Sequence, residues 1–271
     1  MPETKLPSPA NASAERAIPG VRMEPTLLYI SANPFGMLRV VFDPAWNARV
    51  LLSGATRHGM QSVDPARSAE PLAYYHRHGP LGDIFSAWKP PARGSHIGIV
   101  GLGVGCIAAY AMPGQRFTFY EIDPAVVNIA TNPQYFTYVS QCRGVCEIVL
   151  GDGRESLEHA PDQSFDMLVL DAFHDASIPP HLVSPDAVRM YVRKLTEAGL
   201  LVVHINTPHG ALQPELKRLA AQESLVCLLR ADVQVSEAER AAGKLQSCYM
   251  VLTRDPASVL ALSQNPTWTA A

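Results

Sequence analysis

Three carboxylates and one glycine turn follow four successive apolar runs of the chain. Gly101-x-Gly103-x-Gly105 comes after Ile97-Gly98-Ile99-Val100, and Glu121 ends Phe117-Thr118-Phe119-Tyr120. Asp152 sits between Gly151 and Gly153 after Cys146–Leu150, and Asp171 ends Phe165–Leu170. A glycine turn lets a ligand approach the backbone without meeting a Cβ. A carboxylate about twenty residues further on can accept two hydrogen bonds from ribose hydroxyls. Acids at neighbouring strand tips repel one another unless a cation stands between them. A sulfonium donor and an amine acceptor are both cationic, so the pattern predicts group transfer between them. In that reading Asp152 accepts from the adenine amine, and Asp171 deprotonates or orients the attacking amine.

The nucleotide is narrowed by what surrounds the turn. Cys106 stands where a dinucleotide fingerprint wants Gly or Ala, and no arginine or lysine lies near for a pyrophosphate. An adenosyl ligand without a pyrophosphate, S-adenosylmethionine or a derivative, fits better than NAD.

To bring those tips together the chain needs a parallel sheet, whose strands are apolar on both faces and whose carboxyl ends form the ligand edge. The alternation of strand and helix supplies one. The glycine turn leads into a short helix over Cys106–Met112, closed by Pro113-Gly114. Asp123-Pro124 and Ser184-Pro185-Asp186 open further helices, each with an N-cap followed by proline at the first helical position. Gly199 closes the second of these, and Leu200–Ile205 is the fifth strand. The expected fold is α/β: a doubly wound Rossmann-like sheet preceded by a small antiparallel β unit.

That unit comprises Thr26–Ile30, Met37–Phe42 and Arg49–Leu52, followed by a ring-rich segment from Ser53 to Phe85 that reads as a ligand wall. Residues 1–20, rich in Pro, Ala, Ser and Glu, read as a disordered tail. Residues 21–90 form the β unit and wall, and residues 91–271 the nucleoside-binding domain.

Of the 271 residues 47% are hydrophobic, ample for a core, and the formal charge of −3 gives no electrostatic footprint for nucleic acid or an anionic membrane. No apolar run is long enough to span a bilayer. Five scattered cysteines without a CxxC pair read as reduced thiols and predict a cytoplasmic protein. His174 and His181 follow Asp171 on a loop placed to line the acceptor pocket, and without a second ligand pair at zinc spacing no metal is expected.

The order of these motifs resembles the spermidine synthase (polyamine aminopropyltransferase) family, a branch of the class I methyltransferase fold. The resemblance runs from about Met37 to Thr253. It rests on Gly59-Met60-Gln61, Tyr75 with His78-Gly79-Pro80-Leu81, the glycine turn, Glu121-Ile122-Asp123, Gly151-Asp152-Gly153 and Asp171. It implies donor contacts at Gln61, Gly101, Gly103, Gly105, Glu121, Ile122, Asp152 and Gly153, and a catalytic Asp171. It further implies acceptor contacts at Tyr75, His78 and Asp175 beside the loop residue His174, a small amine as acceptor, and a homodimer.

Two positions depart from the family pattern. Val104 replaces the aspartate that meets the donor's terminal amine. The loop Asp171-Ala172-Phe173-His174-Asp175 is one residue longer than usual and lacks its proline. The donor is therefore either decarboxylated S-adenosylmethionine, giving aminopropyl transfer, or S-adenosylmethionine itself, giving methyl or aminocarboxypropyl transfer. A catalytically silent nucleoside-binding homologue is the reading from another class.

Overall fold

A computed structural model describes residues 24–91, 94–173, 178–205 and 212–271. The expected tail over residues 1–20 lies outside the described residues.

The N-terminal part is a four-stranded antiparallel meander: β1 (Thr26–Asn33), β2 (Gly36–Asp43), β3 (Ala48–Ser53) and β4 (Thr56–Ser62). Asn33 makes the first turn, its side-chain oxygen accepting from Phe35 N at 2.9 Å. β4 lies inside what reads in the sequence as a connector. Its residues, TRHGMQS, lack the apolar alternation of a strand. Their last four are nevertheless buried, because β4 lies between β3 and the glycine turn.

After α1 (Pro80–Ala87) comes an eight-stranded sheet. β5 (His96–Val100), β6 (Arg116–Glu121), β7 (Val145–Leu150), β8 (Phe165–Leu170) and β9 (Leu195–Ile205) pair in parallel, in the order β7-β6-β5-β8-β9. β11 (Ser247–Thr253) inserts antiparallel between β9 and β10 (Val226–Asp232), and the two-residue β12 (Thr269–Ala270) closes the edge. The sheet is thus mostly, not wholly, parallel. A parallel return from β10 would need a crossover that spans the sheet. The connection offers only α6 (Glu237–Ala241), so the chain turns straight back.

Alternate residues of the central strands go to opposite faces. Ile97, Ile99, Met167, Val169, Leu200 and Val202 pack on one side; Val100, Leu168, Leu170, Leu201 and Val203 pack on the other. Truncating one of these to alanine is expected to cost about 2–5 kcal/mol. The helices covering the sheet start as the sequence predicts. Asp123 caps α2 (Pro124–Thr131), accepting from Ala125 N, and Ser184 caps α4 (Pro185–Lys194), accepting from Ala187 N. α4 stops at Lys194, before Gly199, and β9 begins at once with its register shifted between Leu195 and Leu200. The segment after the glycine turn is a 3-10 turn, Cys106–Tyr110. A 3-10 turn climbs about 2.0 Å per residue against 1.5 Å for an α-helix, which suits a short return to β6. No helix among the described residues is long and apolar enough to cross a membrane.

Candidate functional site

β5 and β8 are neighbours, but the chain visits β6 and β7 between them, so the sheet order reverses at the β5–β8 junction. Ligands of open α/β sheets bind outside the strand ends at such a junction. Backbone hydrogen bonds continue across it beyond the strands. Asp171 N donates to Val100 O at 2.9 Å, Gly101 N to Tyr120 O at 2.8 Å, and Gly151 N to Glu121 O at 2.8 Å. The glycine turn, Glu121, Gly151-Asp152 and Asp171 are thereby held side by side. Gly101 has φ +98°, and a Cβ there would collide with the Asp171 carbonyl, so only glycine lets the two tips sit this close.

Glu121 is buried, with Oε2 accepting from Leu102 N and Oε1 from Asp123 N, both at 2.9 Å. Burial raises its carboxyl above the ordinary glutamate value, and the Asp123 and Leu102 N–H groups offset only part of the rise. Each oxygen retains acceptor capacity for a ribose hydroxyl. Asp152 is the N-cap of α3 (Gly153–His159), accepting from Arg154 N and Glu155 N, while its Oδ2 lies 3.0 Å from His181 Nε2. Burial pushes its carboxyl up, but the Glu155 N–H and His181 outweigh burial and hold it below the ordinary range.

Asp171 does not cap a helix. Its Oδ1 is 2.6 Å from Nδ1 of His204, and both side chains are almost wholly buried. Rings surround the pair: Tyr249 stacks on the imidazole at 4.4 Å and 3°, Phe173 stands edge-on at 4.9 Å, and Tyr74 lies at 5.6 Å. Burial and then the Asp171 carboxylate push the Tyr75 phenol well above its ordinary value, which keeps it neutral.

These groups line one cavity of about 630 Å³, a size suited to a nucleoside with a side arm. Gly101, Gly103, Glu121, Ile122, Asp152, Gly153, Asp171 and Tyr75, all expected from the sequence, are brought together in its wall. His174 and Asp175 lie outside the described residues.

Three expected residues are not brought to it. Gln61 is buried beside the cavity. Its Nε2 donates to Ser68 O at 2.7 Å and Thr137 Oγ1 at 2.8 Å, while its Oε1 accepts from Thr137 N. Its amide is therefore spent on clamping β4 to the α/β part. His78 is exposed and packs against His76. Gly105 starts the 3-10 turn at φ +78°, with the Val139 side chain where a Cβ would be. Val104 is likewise outside the cavity wall, buried against Gly59.

Tyr74, Arg57 and His58, from the segment read as a ligand wall, also line the cavity, and so do His204 and Phe173, which were not expected there. For His204 a signal existed: it breaks the apolar run Leu200–Ile205 of a strand buried on both faces, and a buried polar side chain needs a partner.

No protein-family model matches the chain. A polyamine aminopropyltransferase of Vibrio vulnificus (strain CMCP6) is 32% identical over 111 residues, 39% of this chain and 36% of that protein. The match thus spans little more than a third of the relative's length. A probable spermidine synthase from Corynebacterium glutamicum ATCC 13032 superposes with a TM-score of 0.63, over 89% of this chain and 90% of that one, at 14% identity. A spermidine synthase in complex with the transition state analogue AdoDATO gives 0.61, over 87% and 76%, again at 14%. The fold is a Rossmann-like α/β sheet with an antiparallel sheet before it, as in those spermidine synthase structures. The resemblance to spermidine synthases expected from the motifs is borne out, in fold over most of the chain and in sequence over the stretch shared with the Vibrio protein.

Proposed function

We propose that this protein is a spermidine-synthase-like transferase, moving an aminopropyl-type group from an adenosylsulfonium donor to a small amine. The observation that carries the reading is the convergence of the glycine turn, Glu121, Asp152 and Asp171 at adjoining strand tips around one cavity. Glu121 would take the ribose hydroxyls, Asp152 and Gly153 the adenine side, and Asp171 with Tyr75 the attacking amine. Displacement at a sulfonium carbon needs proximity, alignment and somewhere for a proton to go, and no more from the protein. The Vibrio aminopropyltransferase and the relative that binds AdoDATO support the same chemistry. We further propose a cytoplasmic enzyme without a metal, and a homodimer formed through the N-terminal unit, whose Leu27, Ile30 and Met37 are exposed.

A second reading, with S-adenosylmethionine itself as donor, rests on Arg57. Its guanidinium lies over the Trp46 ring at 5.6 Å on the cavity wall, and its Nε has no hydrogen-bond partner among the described residues. A cation there suits a donor that keeps its carboxylate.

The test offers the purified protein either donor with a mixture of diamines and identifies nucleoside products by mass spectrometry. Amine-dependent methylthioadenosine from the decarboxylated donor is the expected result. By-product from S-adenosylmethionine alone would favour the second reading, and no by-product from either donor would contradict transfer.

A further inference from the structure

The carboxylate of Asp171 is paired through Oδ1 with Nδ1 of His204 at 2.6 Å. We propose that His204 is the group that takes the acceptor's proton, and that Asp171 is a positioning residue acting through it. The proposal rests on the transferase reading above and deepens it.

The argument is geometric. The imidazole comes from the tip of β9, the neighbour of β8, so its Nδ1 faces the Asp171 carboxylate across one strand spacing. With the hydrogen on Nδ1 given to that carboxylate, the neutral ring presents the Nε2 lone pair to whatever occupies the cavity. Tyr249 covers one face of the ring at 4.4 Å and 3°, and Phe173 abuts it at 74°. An imidazole pinned in this way cannot swing about χ1 or χ2, so its free nitrogen is preorganised. Both His204 and Asp171 line the cavity, which a histidine serving only to satisfy a buried carboxylate would have no need to do.

The step balances without any further reagent. The acceptor nitrogen forms a bond to the donor's methylene carbon, and the carbon–sulfur bond breaks with its electron pair staying on sulfur as a neutral thioether. Before that attack the acceptor's ammonium passes one proton to Nε2, which exposes the lone pair that forms the bond. The resulting imidazolium lies against the Asp171 carboxylate, which stabilises it. The acceptor enters as an ammonium, past the aromatic wall of Tyr74 and Tyr75, and meets the carboxylate-backed imidazole there.

The test compares H204N, whose amide N–H can still reach Asp171 but which lacks the distal nitrogen, with H204A, in wild-type buffer and with added imidazole. For H204N, kcat is expected to fall by about 10²–10⁴-fold, the usual contribution of a positioned base. KM for the donor and the affinity for methylthioadenosine should stay within about threefold, since neither uses the distal nitrogen. Imidazole should restore turnover to H204A and leave the wild type unchanged. Wild-type kcat in H204N would overturn the assignment. So would joint loss of binding and turnover without imidazole rescue of H204A, because His204 would then be structural. A wild-type protein that turns over neither donor would instead defeat the transferase reading, and this assignment with it.

Discussion

The carboxamide nitrogen of Asn33 donates to Oδ1 of Asp123 at 2.6 Å, across ninety residues of sequence. The same oxygen accepts from Ala125 N and so caps α2. One carboxylate oxygen thus starts the helix after β6 and pins the tip of the first hairpin beside the cavity. Its neighbour Glu121 donates nothing and accepts from Leu102 and Asp123, tying the glycine turn to the same spot. The N-terminal sheet is a wall of the cavity because of such joints, of which Gln61 with Thr137 is another.

Asp171→Asn should lower turnover by at least about 10²-fold while leaving methylthioadenosine affinity nearly unchanged, because in the proposed reaction the carboxylate serves the acceptor side and not the adenosine. Steady-state kinetics beside calorimetric binding checks this. Equal loss of both would make Asp171 a structural residue.

Gly101→Ala places a side chain at φ +98° and against the Asp171 carbonyl. A cost of roughly 1–3 kcal/mol is expected from strain and displacement of the β8 tip, read as a lower unfolding midpoint. Because the displaced tip carries Asp171, kcat should fall in parallel. A variant with wild-type stability and activity would mean that the two tips are not held this close.

Much of this was legible in the chain. Phe165–Leu170 is a strand to the residue, since six apolar or shielded positions ending in an acid fit little else. Asp123-Pro124 and Ser184-Pro185 open helices because local capping chemistry decides such starts. The four-tip cluster followed from strand order alone. What was not legible depends on contacts between distant segments. β4 carries Arg57 and His58 with no strand pattern, and its burial comes from the glycine turn, where a Cβ on Gly103 would meet His58 O. Gln61 and His78 were expected at the ligand, yet the first is consumed by Thr137 and the second faces outward. His204 shows as a break in an apolar strand, but its partner Asp171 is named only by sheet topology.

Protonation of Glu121 should oppose nucleoside binding. Burial raises its carboxyl, so on acidification affinity should fall at a higher pH than an ordinary glutamate would give. Its effect on folding has the opposite sign. The folded state holds this proton more tightly than the unfolded chain, so its contribution favours folding at low pH and is lost as pH rises through the raised value. Asp152, held low, stays ionised through that window. Titrations of methylthioadenosine at a series of pH values, with E121Q beside the wild type, check the first sign; E121Q should lose the acid-side dependence. An identical pH dependence in E121Q would remove Glu121 as its source.

Arg57→Met discriminates between donors. If the guanidinium binds a donor carboxylate, the loss is about 1.5–3 kcal/mol, or roughly 10- to 100-fold in KM for S-adenosylmethionine, with the decarboxylated donor unaffected or improved. Equal effects on both donors would make Arg57 a packing partner of Trp46 only.

The most direct measurement is a calorimetric titration of methylthioadenosine into the wild-type protein and into E121A. Saturable one-site binding by the wild type, weakened at least about tenfold in E121A, is the result expected of a nucleoside held by ribose contacts at Glu121. No binding by the wild type, or equal affinity in E121A, would contradict the placement of an adenosyl ligand over the glycine turn.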